Sequence, residues 1–80
     1  MTALLFYTRY GCHLCERLES LLSPYLQNSR FTLTHIDIED DAAAYDLYWS
    51  RIPVLMADNR VILEGKPSEA EVTRAIQDLA

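Results

Sequence analysis

The sequence predicts an α/β architecture: a four-stranded mixed sheet flanked by three helices, in the order β-α-β-α-β-β-α. Three observations carry this. Apolar or β-branched runs at residues 3–7, 31–38, 53–57 and 60–64 have strand length, and stretches with helical spacing lie between or after them. A helix separates the first two runs, which makes them parallel neighbours joined by a right-handed crossover. Only two residues separate the last two runs, which makes them an antiparallel hairpin.

The first run, Ala3 to Tyr7, is continuously apolar and reads as a strand buried on both faces. Residues 8–11 form a short connector. From Cys12 the period changes: Leu14, Leu18, Leu21 and Leu22 recur at helical spacing, with Glu16, Arg17 and Glu19 on other faces. Leu14 is expected to pack into the core. Pro24 has no amide hydrogen and crowds the preceding turn, so this helix is expected to end or kink near Ser23.

Residues 31–38 alternate in part and give the second strand. Asp40 or Asp41 caps a second helix running through Trp49, with three consecutive alanines in its first turn. Within it Tyr45, Tyr48 and Trp49 are spaced as a core-facing stripe. Residues 50–52 are a loop. Asp58-Asn59, a pair that tolerates positive φ, joins the third strand to the fourth. Ser68 and Glu71 have capping-box spacing, and Val72, Ile76 and Leu79 give the last helix its apolar stripe.

Eighty residues bound the chain to one domain, 1–80. Half the residues are hydrophobic, enough for a core without metal or disulfide staples. The formal net charge is −5 and there is no basic run, so nucleic acid is not an expected partner. The N-terminal apolar stretch is too short for a secretory signal, and no segment approaches the ~20 apolar residues of a membrane span. The expectation is a cytoplasmic chain without a membrane partner, where a cysteine pair is catalytic or metal-binding rather than a structural staple.

The only two cysteines are Cys12 and Cys15, in Tyr10-Gly11-Cys12-His13-Leu14-Cys15, at the start of the first helix. Only a thiolate attacks a disulfide, and a free Cys with pKa ~8.5 is mostly protonated at neutral pH. A helix N-terminus, with unsatisfied amides and positive dipole end, favours the anion. Three residues on, Cys15 lies on nearly the same face, within reach of a mixed disulfide formed at Cys12. Cys12 is therefore the candidate nucleophile and Cys15, more enclosed, the candidate resolving thiol. Gly11 would let substrate approach the backbone. Arg9 and Arg17 could add positive potential or be solvated surface residues. His13 could tune the thiols or ligate a metal, and tuning is the favoured reading. His35 reads as a hydrogen-bonded strand residue. Asp37, Glu39, Asp40 and Asp41 read as a helix cap and solvated turn.

These residues resemble the glutaredoxin-like proteins of the thioredoxin superfamily, over essentially the whole chain. Residues 4–15 are similar to the glutaredoxin strand, loop and active-site helix, with Arg9 where those proteins usually carry Lys. Ile52-Pro53-Val54-Leu55 is similar to their cis-proline segment. The resemblance implies a thioredoxin-like fold and a dithiol-disulfide oxidoreductase needing no cofactor. It implies Cys12 as nucleophile, Cys15 as resolving cysteine, and a cis Pro53 that lets Ile52 pair with a substrate strand. Without it, Pro53 would read as an ordinary trans proline opening a strand. Arg9, Tyr10, Gly11, His13, Ile52 and Pro53 are the candidate substrate-binding residues. The implied role is cell redox homeostasis as a monomer, acting on protein or small-molecule disulfides, with glutathione or a thioredoxin-type reductant.

The chain departs from the pattern in its His13-Leu14 dipeptide, where glutaredoxins commonly have Pro-Tyr. It has Arg51 where they have Thr. It also has a single Gly65 where they carry Gly-Gly followed by an Asp that holds the glutamyl end of glutathione. Two alternatives stay open on sequence alone. One is a metal- or iron-sulfur-binding module, for which two Cys and two separated His are a thin ligand set. The other is a binding protein that keeps the fold without catalysis.

Overall fold

The computed structural model describes residues 2–27 and 30–79. The chain forms β1 (Thr2–Thr8), α1 (His13–Leu26), β2 (Phe31–Asp37), a single 3-10 turn (Ile38–Asp40), α2 (Ala42–Tyr48), β3 (Val54–Ala57), β4 (Arg60–Glu64) and α3 (Glu69–Leu79). The predicted element order is thus present. The strands lie in the order β2-β1-β3-β4. β1 and β2 are parallel, in register from Thr2 opposite Phe31 to Thr8 opposite Asp37. β1 and β3 are antiparallel, with Tyr7 opposite Val54.

The sheet separates two apolar layers. Leu4, Phe6, Leu55, Ala57 and Leu63 meet Cys15, Leu18 and Leu22 of α1 and Val72 and Ile76 of α3. On the other face Val54 meets Ile38 and, from α2, Ala44 and Tyr48, with Tyr7, Met56 and Val61 packed alongside. Full burial of each large apolar side chain contributes roughly 1.5–3 kcal/mol. β1 does not have two equally buried faces. Leu4 and Phe6 are fully buried, whereas Leu5 and Tyr7 are only half covered, because the short α2 shields less of the sheet than α1 and α3 together.

α1 runs past Pro24 to Leu26, so the predicted stop near Ser23 is corrected. Tyr25 and Leu26 pack on the main core, and the Tyr25 hydroxyl shares a 2.9 Å hydrogen bond with Thr73 of α3. Those contacts hold the last turn despite the backbone bond that a proline cannot donate. Leu14 is also corrected: it is 40% exposed. The buried stripe of α1 runs through Cys15, Leu18 and Leu22, and Leu14 lies roughly 70° from its centre. In α2 only Tyr48 of the expected aromatic stripe is buried, while Trp49, the C-cap residue, is 58% exposed.

The β3–β4 turn has Asp58 at φ 53° and Asn59 at φ 65°, the conformation a two-residue hairpin requires. A bulge at Leu55/Met56 then shifts the register, so Val54 faces Glu64. The extra residue lets two consecutive side chains, Ile62 and Leu63, pack toward α1 and α3. Ser68 and Glu71 close the capping box of α3: the Ser68 amide donates to Glu71 Oε1 at 2.9 Å, and the Glu71 amide to Ser68 Oγ at 3.1 Å. No helix among the described residues is long and apolar enough to cross a membrane.

Candidate active site

The end of β1, the start of α1, the 3-10 turn after β2 and the start of β3 meet at one end of the sheet, as the strand registers require. Cys12 is the N-cap residue of α1, at φ −87° and ψ 106°. Its carbonyl accepts the first helical hydrogen bond from Glu16 N–H at 3.1 Å. Its Sγ accepts from the Cys15 amide, also at 3.1 Å. Cys12 and Cys15 are joined as a disulfide, with their Cα atoms 5.2 Å apart. Cys12 is half buried and Cys15 is 3% exposed. The sulfur at the surface is thus the one aimed at by a helix-start amide, the arrangement that stabilises a thiolate when the pair is reduced.

Gly11 reaches φ 79°, a left-handed conformation that costs an L side chain energy. A Cβ there would meet nothing within 4 Å. The positive φ thus ties Gly11 to the backbone turn into the helix, and no protein atom crowds the position. Tyr10, the residue before it, is 99% exposed, and His13 is exposed at the first position of α1.

The two arginines suggested by sequence are both engaged. Arg9 Nη2 pairs with Glu39 Oε1 of the 3-10 turn. Arg17 Nη1 donates to the Pro67 carbonyl at 2.6 Å, tying α1 to the loop before α3. The acidic cluster has local structural work. Asp37 accepts from Glu39 N–H, and Asp41 caps α2 by accepting from Ala44 N–H. His35 Nε2 lies 3.0 Å from Glu19 Oε2 and its ring stands edge-on to Phe6, away from the cysteines on the β2–α1 surface.

The Ile52–Pro53 peptide bond is cis, the geometry the resemblance implies. Arg51 and Ile52 amides both donate to the Tyr48 carbonyl, at 2.8 and 3.1 Å. Gly65 N–H donates to the Pro53 carbonyl at 2.9 Å. Pro53 is buried, Ile52 and Cys12 each pack against the main core, and the pairing of Tyr7 with Val54 brings their two segments to the same end of the sheet.

One arrangement here was not legible in the sequence. Arg51 Nε and Nη2 donate to Glu64 Oε1 and Oε2 at 3.1 and 2.8 Å, a two-pronged pair. The Arg51 guanidinium carbon also sits 5.3 Å from the centre of the Tyr48 ring. The Arg51 hydrogen bonds hold the Glu64 carboxyl below its usual range, and Glu64 in turn raises Arg51. Tyr7 also contacts Tyr48, ring centres 4.7 Å apart, and burial first and then Tyr48 and Asp41 push the Tyr7 phenol up. The bulge in β4 hides the pair from sequence counting. An unbroken register from the Asp58-Asn59 turn would have placed Leu63, not Glu64, opposite Val54.

Among the described residues no group of three or more His, Cys, Asp or Glu side chains converges as a metal would need. What the arrangement can do chemically is exchange: one accessible sulfur at a helix start, one enclosed sulfur a turn behind it, and a proline turn alongside.

Comparisons with known proteins agree with the architecture. Residues 3–77 match the family described as Glutaredoxin-like domain (DUF836). A glutaredoxin-like protein of Dictyostelium discoideum is 31% identical over 70 residues, a match covering 80% of this chain and 65% of that relative's length. An X-ray structure of a structural-genomics target from X. campestris is 35% identical, covers 96% of this chain and 97% of that one, and superposes with a TM-score of 0.73. A solution structure of a Nitrosomonas europaea protein gives 0.75 at 29% identity, covering 91% and 88%. The germline-specific thioredoxin Deadhead of Drosophila melanogaster, 20% identical with a TM-score of 0.67 over 99% and 81%, shares the fold. With the family matched along nearly its full length, the chain belongs to the glutaredoxin-like proteins of the thioredoxin superfamily.

Proposed function

We propose that the protein is a dithiol-disulfide oxidoreductase in which Cys12 exchanges with substrate and Cys15 resolves. The observation that carries this reading is the Cys12–Cys15 disulfide across the first turn of α1, with Cys12 at the surface and Cys15 enclosed. In the reduced protein the Cys12 thiolate attacks one sulfur of a substrate disulfide. A Cys12–substrate bond forms, and the departing sulfur leaves as a thiolate that takes a proton from water. Cys15, having lost its own proton to solvent, then attacks Cys12 Sγ. This expels the second substrate thiol and leaves the protein oxidised by two electrons. A thiol reductant of the glutathione or thioredoxin type returns the electrons.

The substrate is a protein or small-molecule disulfide. Tyr10, Gly11, His13, Ile52 and Pro53 are assigned to substrate binding, and the exposed Tyr10 and Leu14 would give a polypeptide substrate apolar surface to rest on. Arg9, held by Glu39, steadies the connector between β1 and Cys12. On this proposal the protein works in the reducing cytoplasm as a monomer in redox homeostasis, with no cofactor.

Trapping tests the mechanism. Cys15→Ser should accumulate a mixed disulfide at Cys12 when mixed with an oxidised substrate, and Cys12→Ser should be inert. Full turnover by both single variants would refute it.

A further inference from the structure

The Arg51–Glu64 pair stands at the same end of the sheet as the exchanging sulfur. Arg51 immediately precedes Ile52 and the cis Pro53, and Glu64 lies opposite Val54, whose other neighbour is Tyr7, near the end of the strand that leads to Cys12. Both side chains are partly exposed, 41% and 43%, so substrate can reach them. Arg51 is held from three sides: its amide by the Tyr48 carbonyl, its guanidinium face by the Tyr48 ring, and its edge by both Glu64 oxygens. A two-pronged carboxylate on a guanidinium occupies the same donors that a substrate carboxylate would use.

We propose that Glu64 acts as an internal competitor for Arg51, so that the closed pair withholds the guanidinium from disulfides carrying carboxylates beside the reacting sulfur and gives them no advantage over neutral or cationic ones. This rests on Cys12 being the exchanging thiol. The closed pair presents little net charge to an arriving disulfide. Opening it from either side exposes a charge of known sign at the end of the sheet that carries Cys12, on a backbone that the Tyr48 carbonyl and the Gly65–Pro53 hydrogen bond hold in place.

Three small disulfides of similar size test this: dithiodipropionate (anionic), hydroxyethyl disulfide (neutral) and cystamine (cationic). Each is mixed with pre-reduced protein, and the second-order rate of Cys12 oxidation is measured at low salt. The neutral probe reports any general damage to the site, and each charged rate is read as a ratio to it. Glu64→Gln should raise the anionic-to-neutral ratio about three- to tenfold and lower the cationic one, as expected for one unpaired charge at contact distance in water. Arg51→Gln should do the reverse. The double variant should return to the wild-type ratios, and the differences should shrink at about 1 M salt. Ratios unchanged in Glu64→Gln, or shifted the same way in both single variants, would overturn the inference while leaving Cys12 exchange intact. No reaction with any probe in any variant would overturn the role of Cys12 and this inference with it.

Discussion

The Cys15 amide donates to Cys12 Sγ, making the first cysteine the cap of the helix that carries the second. One residue thus closes the helix start as Ser or Asp would elsewhere, while leaving its sulfur half exposed. The same amide is in place to receive a thiolate on reduction. Cys12 should therefore alkylate faster than Cys15 in the reduced protein. Its rate should persist to lower pH than that of the same chain unfolded in denaturant. Mass spectrometry of singly alkylated peptides checks this, and equal labelling of the two cysteines would count against the asymmetry.

Gly11 sits at φ 79° with open space around it. Gly11→Ala should cost about 1–2 kcal/mol from conformation alone. Denaturant unfolding measures this, and a neutral change would mean the loop relaxes out of the left-handed region.

Pro24 lies inside α1, three residues before the C-cap Gln27. Pro24→Ala should stabilise the protein by up to about 3 kcal/mol, since it restores a backbone donor in the last turn. Leu22→Ala, on the buried face of the same helix, should cost about 2–5 kcal/mol, whereas Leu47→Ala, 61% exposed on α2, should change little.

The Glu71 carboxyl is held below its ordinary value of 4.5, chiefly by the Ser68 amide and then by the Ser68 hydroxyl. Since the folded value is the lower one, this contribution is fully present above the unfolded value and is lost as pH falls through the folded one. Melting temperatures of wild type and Glu71→Gln should therefore differ by a constant amount above about pH 5 and converge toward about pH 2. A gap that persists in acid would assign the effect to packing instead.

Much of this fold is readable one element at a time. The Asp58-Asn59 turn, the Ser68–Glu71 box and the Cys12 helix start are local chemistries, set by residues within a turn of each other. What escapes such reading depends on distant partners. Whether Pro24 ends a helix is decided by Tyr25 reaching Thr73. Leu14 and Trp49 look like core residues until the rotation of each helix against the sheet is known. The Arg51–Glu64 pair exists only because a bulge offsets one strand by a residue. The cysteines themselves are legible because their spacing, burial and chemistry all derive from one helical turn.

The most direct test equilibrates the protein against graded glutathione and thioredoxin buffers and quantifies its redox forms by mass after acid quench. A reversible two-electron transition between dithiol and the Cys12–Cys15 disulfide, fitting one potential from both directions, is the predicted result. Cysteines that stay reduced throughout, or that oxidise independently without an intramolecular disulfide, would contradict the account.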